Sequence, residues 1–425
     1  MSHRRHGGND TMSLSPELRS QILDQIKKCV LNHHINVGGI DYGGWARRIA
    51  DHAPELLTLD IDAFEDGVRK HLLELKSSHT GFYHEQPARL MPQYTVNATL
   101  HSVPWQGEQR WMFLDVFEDG PAQKSGIVPG GILLAVDGVD CTLPNMPAFG
   151  IGVTHRLTVI PTAESEPREI VVTVPHRKGS IARPPIVVPK SISHSMAGPG
   201  IGLLKVLFFP GLFGMRFSRA LAKSMEDLKR QRLDRLIIDL RGNIGGSMGF
   251  AHLASYLCAG RVAIGHSVTP QRLRTGYDIN SLARVPIPGN RAQLIGTLGR
   301  FAFQDKSIML LTQGLGPQPF HNRVVILMNE HTNSAAEMVA NFAVESRLAT
   351  TVGVKTPGNV LGASNFRLAG NYWLRIPVFG WYTPQGQSVE GTGVTPDVMI
   401  EISTEALGIG IDNQMQKAIE LVTAL

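Results

Sequence analysis

Apolar residues recur every four positions from Leu18 through Ile22 and Ile26 to Val30, directly behind Ser15-Pro16-Glu17. That spacing lines one face of a helix, and Ser-Pro-Glu is a helix-opening sequence. A second helix is predicted over Asp60 to Lys76, with Phe64, Val68, Leu72, Leu73 and Leu75 on its apolar side. The turn-rich Ser77-Ser78-His79-Thr80-Gly81 ends this small helical segment, 1–93. From 94 to 178 the pattern shifts to short strands punctuated by glycine. Trp111–Val116, Ile132–Val136 and Glu169–Val174 read as strands, Ala122 to Ser125 as one helical turn, and Asp137-Gly138 as a hairpin turn. Residues 179–200, rich in proline, serine and glycine, read as a linker or surface strap. Beyond it strands and helices alternate: Leu203–Phe209, Phe217–Arg230, Arg235–Leu240, Ser247–Leu257, Val324–Met328, Ala335–Ser346 and Thr350–Gly353. The fold class expected is multidomain α/β.

Composition narrows the functional classes. With 43% hydrophobic and 18% charged residues, the 425-residue chain can bury a sizeable core. Its 41 basic against 36 acidic residues leave a net charge of +5, too mild to argue for nucleic acid or an anionic membrane. No apolar run reaches transmembrane length, and Met1 to Met12 lacks the apolar run of a secretory signal. Cys29, Cys141 and Cys258 lie far apart and form neither a disulfide framework nor a metal-ligand spacing. A cytoplasmic protein without metal or organic cofactor is therefore expected.

Asp119 to Asp140 (DGPAQKSGIVPGGILLAVDGVD) resembles the bacterial PDZ pattern G-P-A-x-x-A-G-x-x-x-G-D-x-I-x-x-V-D-G. The resemblance implies a PDZ-like β domain, 94–178, that adds an extended peptide, often a chain end, to a free sheet edge. No carboxylate-binding loop is recognisable near Leu100 to Gln106.

Four further segments occur in order. Arg235 to Gly246 (RLIIDLRGNIGG), Asn329 to Val339 (NEHTNSAAEMV), Gly353 to Gly358 (GVKTPG) and Tyr382 to Val398 (YTPQGQSVEGTGVTPDV) resemble the motifs of tail-specific (C-terminal processing) serine proteases and of tricorn protease. The resemblance implies a crotonase-like (ββα) serine protease domain, 179–425. Its nucleophile is Ser334, and its oxyanion hole is built from the N–H of Ala335 and of Gly245 or Gly246. Ser334 also reads as a helix cap: Ser334-x-x-Glu337 before an apolar run is a capping box. Polypeptide substrates are implied, unfolded or presenting a C-terminal tail, and a homo-oligomer is compatible with the sequence.

The general base departs from the pattern. Asn359 stands where the tail-specific proteases carry their catalytic lysine, and Ala363 where they carry glutamine. An amide has no basic lone pair near neutral pH. Tricorn protease takes a histidine from outside the serine-helix region. Lys205, on the otherwise apolar Ile201 to Phe209, is the base expected here, since desolvation would lower its pKa. Lys355, His331 and His79 (in a segment resembling D-x-H-T) are the alternatives, and Glu390 is expected either to orient neighbours or to brace the closing turn. Two other classes compete: an esterase using Ser247 in the G-x-S-x-G of 245–249, and a non-catalytic peptide binder with a degenerate site.

Overall fold

The computed structural model describes residues 14–85, 89–162, 165–176, 187–211, 213–303 and 307–425. Helices Pro16–His33, Tyr42–Leu56 and Ile61–Leu73 are opened by Ser15, Asp41 and Asp60, whose side chains each accept a first-turn N–H. The pattern around Tyr42–Leu56 is harder to read in sequence because Gly43-Gly44 and Pro54 interrupt it. Its Trp45, Ile49 and Leu56 nevertheless join Ile22, Ile26, Val30, Phe64, Val68 and Leu72 in one core. That core is closed by Leu374 and Ile376 of the strand Tyr372–Tyr382, from the other end of the chain. Strand Gly81–His84 pairs antiparallel with the same strand, Gly81 opposite Arg375. The N-terminal helices are thus built onto a sheet formed by the C-terminal half. That sheet continues through Ala263–Val268, Ile308–Leu311 and Ala283–Pro286.

A second, antiparallel sheet runs in the order Ala98–Trp105, Glu108–Val116, Ile132–Val136, Thr154–Ile160, Arg168–Thr173. It encloses its own core of Phe113, Leu133, Phe149, Leu157 and Val172. The short helix Pro121–Lys124 sits where one helical turn was expected.

The third sheet is ordered Ile192–Gly198, Ile201–Val206, Arg235–Asp239, Val324–Met328, Thr350–Gly353, Val398–Met399, and it is parallel from the second strand onward. Ile192–Gly198 lies inside the stretch read as a linker; its antiparallel pairing with Ile201–Val206 makes it an edge strand instead. The linker's residues 177–186 lie outside the described ones. The central strands are apolar on both faces because both are covered. Leu236 and Ile238 pack with helices Met215–Arg230 and Ala335–Glu345, whereas Ile237 packs with Ala418 and Val422 of Asn413–Ala424. The expected alternation from 201 to 353 is present, and the molecule is a multidomain, mixed α/β protein.

Candidate active site

Strand Val324–Met328 runs into a loop that ends at Ser334, and helix Ala335–Glu345 begins at the next residue. Ser334 has φ 54° and ψ −115°, a backbone conformation rarely taken by a residue with a side chain. Such strain is retained where the surroundings over-determine it, and here they do. The Ser334 N–H donates to Glu337 Oε2 at 2.9 Å. Glu337 is fully buried and also accepts from the Thr356 hydroxyl (2.7 Å) and the N–H groups of Gly358 (2.6 Å) and Asn359 (2.8 Å). Burial raises its pKa, against the opposing pull of these donors. The Glu337 side of the capping box thereby clamps the serine to the Thr356–Asn359 segment.

The hydroxyl of Ser334 meets a histidine from the opposite end of the chain. Ser334 Oγ is 3.1 Å from His79 Nε2. His79 Nδ1 is 2.9 Å from Ser78 Oγ, and the Ser78 hydroxyl donates to Glu390 Oε2 at 2.9 Å, while the Ser78 N–H donates to Glu390 Oε1 at 2.8 Å. The chain has one consistent proton arrangement. Glu390 accepts from Ser78, so Ser78 accepts from Nδ1–H, and Nε2 keeps the lone pair that faces Ser334. Glu390 is held by a third donor, the N–H of Val360, at 2.9 Å. Burial, with a smaller contribution from the Arg375 guanidinium, lowers the His79 pKa from 6.5 to about 4, so the imidazole is neutral at neutral pH.

The sheet explains how residues 255 apart in sequence come together. Pairing of Gly81–His84 with Tyr372–Tyr382 anchors the chain just after His79. On the other side Ser77 Oγ lies 2.9 Å from both His34 Nε2 and Thr80 Oγ1, which ties the turn to the helical core. The Glu390 loop is fixed by Gly391 N–H donating to Gly358 O (2.8 Å) and Val394 N–H to Thr356 Oγ1 (2.8 Å).

Lys205 lies elsewhere, for a reason of strand geometry. Leu204 and Val206 pack in the core that contains helix Ala335–Glu345. Successive strand residues point to opposite faces, so Lys205 is directed away from the serine helix. It lines a cavity of about 380 Å³ with Asp115, Arg241, Glu330 and Asp412. Lys355 is exposed, and His331 Nε2 bonds Leu100 O at 3.1 Å. Asn359, in the expected lysine position, contributes its backbone N–H to Glu337.

The strand Arg235–Asp239 ends in a turn that presents Gly245 to the serine and sets Gly246 against Phe209. A Cβ on Gly245, whose φ is +84°, would stand 2.7 Å from Ser334 Cβ, so only glycine fits against the serine. The Gly245 N–H, one of the two alternatives expected as oxyanion donor, already donates to Asn243 Oδ1 at 2.8 Å. Gly246 is the member of the pair that is left. Ala335 is the first residue of its helix, where the N–H has no intrahelical acceptor. Ser247 follows Gly246, and its N–H donates to Phe209 O at 2.9 Å; the His79 relay ends on Ser334 instead. Among the described residues no cluster of three or more His, Cys, Asp or Glu is arranged to hold a metal ion. From the sequence, Ser78 has no role beyond the turn and His79 ranks behind Lys205, although the segment around His79 resembles D-x-H-T.

Comparison with known proteins meets the resemblance read from the four motifs. Residues 200–400 match the model of peptidase family S41. A carboxyl-terminal-processing protease of Synechocystis sp. is 26% identical over 312 residues, covering 71% of this chain and 62% of that protein. A tricorn protease of Thermoplasma volcanium is 33% identical over 115 residues, 26% of this chain and 11% of that protein. The chain thus spans less than two thirds of the length of these relatives. The solved photosystem II D1 C-terminal processing protease superposes with a TM-score of 0.55 at 17% identity, covering 92% of this chain and 96% of that one. The chain thus matches the model of peptidase family S41 over residues 200–400, is similar in sequence to carboxyl-terminal-processing and tricorn proteases, and shares its fold with a C-terminal processing protease.

Proposed function

We propose that this chain is a serine endopeptidase that acts on polypeptides with Ser334 as nucleophile and His79, rather than Lys205, as general base. The observation that carries the reading is the continuous chain from Ser334 Oγ through His79 and Ser78 to Glu390. Ser334 Oγ attacks the scissile carbonyl carbon as its proton passes to His79 Nε2. The resulting imidazolium is stabilised through Nδ1–H, Ser78 and the Glu390 carboxylate. The tetrahedral oxyanion takes the N–H groups of Gly246 and Ala335, beside the positive end of the serine helix. Collapse expels the amine, which takes the proton from His79, and water then hydrolyses the acyl-enzyme by the same relay.

In this reading residues 94–178 are a PDZ-like domain and the region from 179 onward is a crotonase-like protease domain. Support for the first comes from its antiparallel sheet, in which Ala98–Trp105 has a strand partner on one side, as a peptide-adding edge requires. Unfolded or tail-presenting chains are the substrates that such an edge suits. The test is labelling with a fluorophosphonate probe followed by mass-spectrometric mapping. An adduct on Ser334 that is lost in His79→Ala and kept in Lys205→Met is expected. An adduct on Ser247, or none together with no cleavage of an unfolded protein, rejects the reading.

A further inference from the structure

The antiparallel sheet of residues 98–173 meets the loop before Ser334 at Leu100 O with His331, at His101 with Glu330, and through one buried carboxylate. Asp115, near the end of Glu108–Val116, is 8% exposed. It accepts the Thr99 hydroxyl at 2.6 Å within its own sheet. It also accepts the side-chain amide of Asn329, with Nδ2 at 3.1 Å from Oδ2 and 3.4 Å from Oδ1. Asn329 opens the loop that leads to Ser334. Its Oδ1 accepts two N–H groups, from Gly242 at 3.0 Å and from His331 at 3.1 Å. Gly242 belongs to the turn that leads to Gly246, and it is pressed onto the same carboxylate. With φ +69°, a Cβ there would stand 2.8 Å from Asp115 Cγ.

These contacts set an orientation. A carboxylate only accepts, so it compels Asn329 to present Nδ2 to it and therefore Oδ1 to Gly242 and His331. Were the amide reversed, an N–H would face two N–H donors and a carbonyl would face a carboxylate. Asn329 in this orientation joins the oxyanion turn to the nucleophile loop. Two more bonds span the same gap, from Asn333 N–H to Asn243 O (2.9 Å) and from the Thr332 hydroxyl to Leu240 O (2.9 Å). Neither of those reaches the antiparallel sheet.

We infer that Asp115 is a positioning residue for the hydrolytic reaction: the antiparallel sheet, through Asp115 and Asn329, sets the spacing between Ser334 and the Gly246 oxyanion donor. The sheet then completes the catalytic site in addition to any part it plays in holding substrate. The inference rests on Ser334 being the nucleophile.

The test exchanges the two side chains, which are a carboxylate and an amide of nearly the same shape. Asp115→Asn sets two amides against each other, and Asn329→Asp sets two carboxylates against each other. The double variant restores one of each: the carboxylate, moved to position 329, accepts from Gly242, His331 and the new amide at position 115. Readouts are the rate of fluorophosphonate labelling at Ser334 and kcat and KM for a short fluorogenic peptide. A misplacement of this kind is expected to slow labelling about tenfold or more and to lower kcat in proportion, with KM changed by less than about threefold. The double variant is expected to recover most of the lost rate, a coupling that two independent structural defects do not show. Single variants that label at the wild-type rate overturn the inference, as does a double variant no better than the worse single. Folding defects common to the singles are covered by the same comparison, because rescue is required. Wild-type protein that takes no label at Ser334 removes the function proposed above, and the inference falls with it; labelled wild type with undisturbed singles refutes the inference alone.

Discussion

Replacing His79 by alanine removes the group that faces Ser334 Oγ at 3.1 Å and leaves Ser78 and Glu390 in place. A positioned general base contributes about 10²–10⁴ in rate, equivalent to roughly 3–5 kcal/mol of barrier, so kcat/KM should fall by that factor. The pH profile is the sharper test. Burial and Arg375 hold the His79 pKa at about 4. The acid limb of kcat/KM reports the base of the free enzyme, so activity should persist through pH 6 and fall with a midpoint near 4. A lysine base, protonated throughout that range, would instead put the acid limb at higher pH, with activity already falling below pH 6. The same group makes a prediction about stability. The unfolded chain protonates this imidazole at 6.5 and the folded chain only at about 4. Between those values the unfolded state binds more protons, so acid favours unfolding. The contribution is fully present above 6.5 and is lost as pH falls towards 4, by about 3 kcal/mol in all. His34, which burial also lowers to about 4, acts in the same window. The assay is therefore a comparison: urea unfolding at pH 7 and pH 4 should show a smaller acid loss in His79→Ala than in wild type. An acid limb at 6.5, or equal acid losses in the two proteins, would refute the reasoning.

Other substitutions separate site from scaffold. Lys205→Met, on the sheet face opposite the serine helix, should leave kcat/KM for a short peptide within about threefold, and a loss comparable to that of His79→Ala would restore Lys205 as base. Gly245→Ala forces a methyl to within 2.7 Å of Ser334 Cβ at a φ of +84°. Ser334 labelling should drop at least about a hundredfold, and wild-type labelling would show that the serine does not depend on this approach. Glu337→Ala strands the N–H groups of Ser334, Gly358 and Asn359 and the Thr356 hydroxyl. It should cost about 3 kcal/mol or more in urea unfolding, whereas an unchanged midpoint would mean that these donors find water instead.

Local pattern carried much of the architecture. The four-residue spacing from Leu18 to Val30 lies within helix Pro16–His33, and the apolar runs at Arg235, Val324 and Thr350 became buried parallel strands. Ser334 was legible because its motif is local: the serine, the helix it opens and Glu337 lie within four residues. The gaps have equally specific causes. Strands Ala263–Val268 and Ile308–Leu311 acquire their partners only in a sheet assembled from both ends of the chain, so no short-range period announces them. Asn359 stands where a lysine is expected, and nothing near it in sequence names another base. Chemistry alone made Lys205 attractive, and the alternation of strand Ile201–Val206 decided against it by turning that side chain to the other face. The Ser334 segment, its glycine-lined neighbour and the alternating elements that carry them can be read along the chain, because each depends on residues within a turn or two. The approach of His79, Ser78 and Glu390 to Ser334, and of Asp115 to Asn329, arises only in the folded chain. Those depend on a sheet register that pairs Gly81 with Arg375 and on loops packed from three parts of the chain, and long-range contacts leave no period in a sequence.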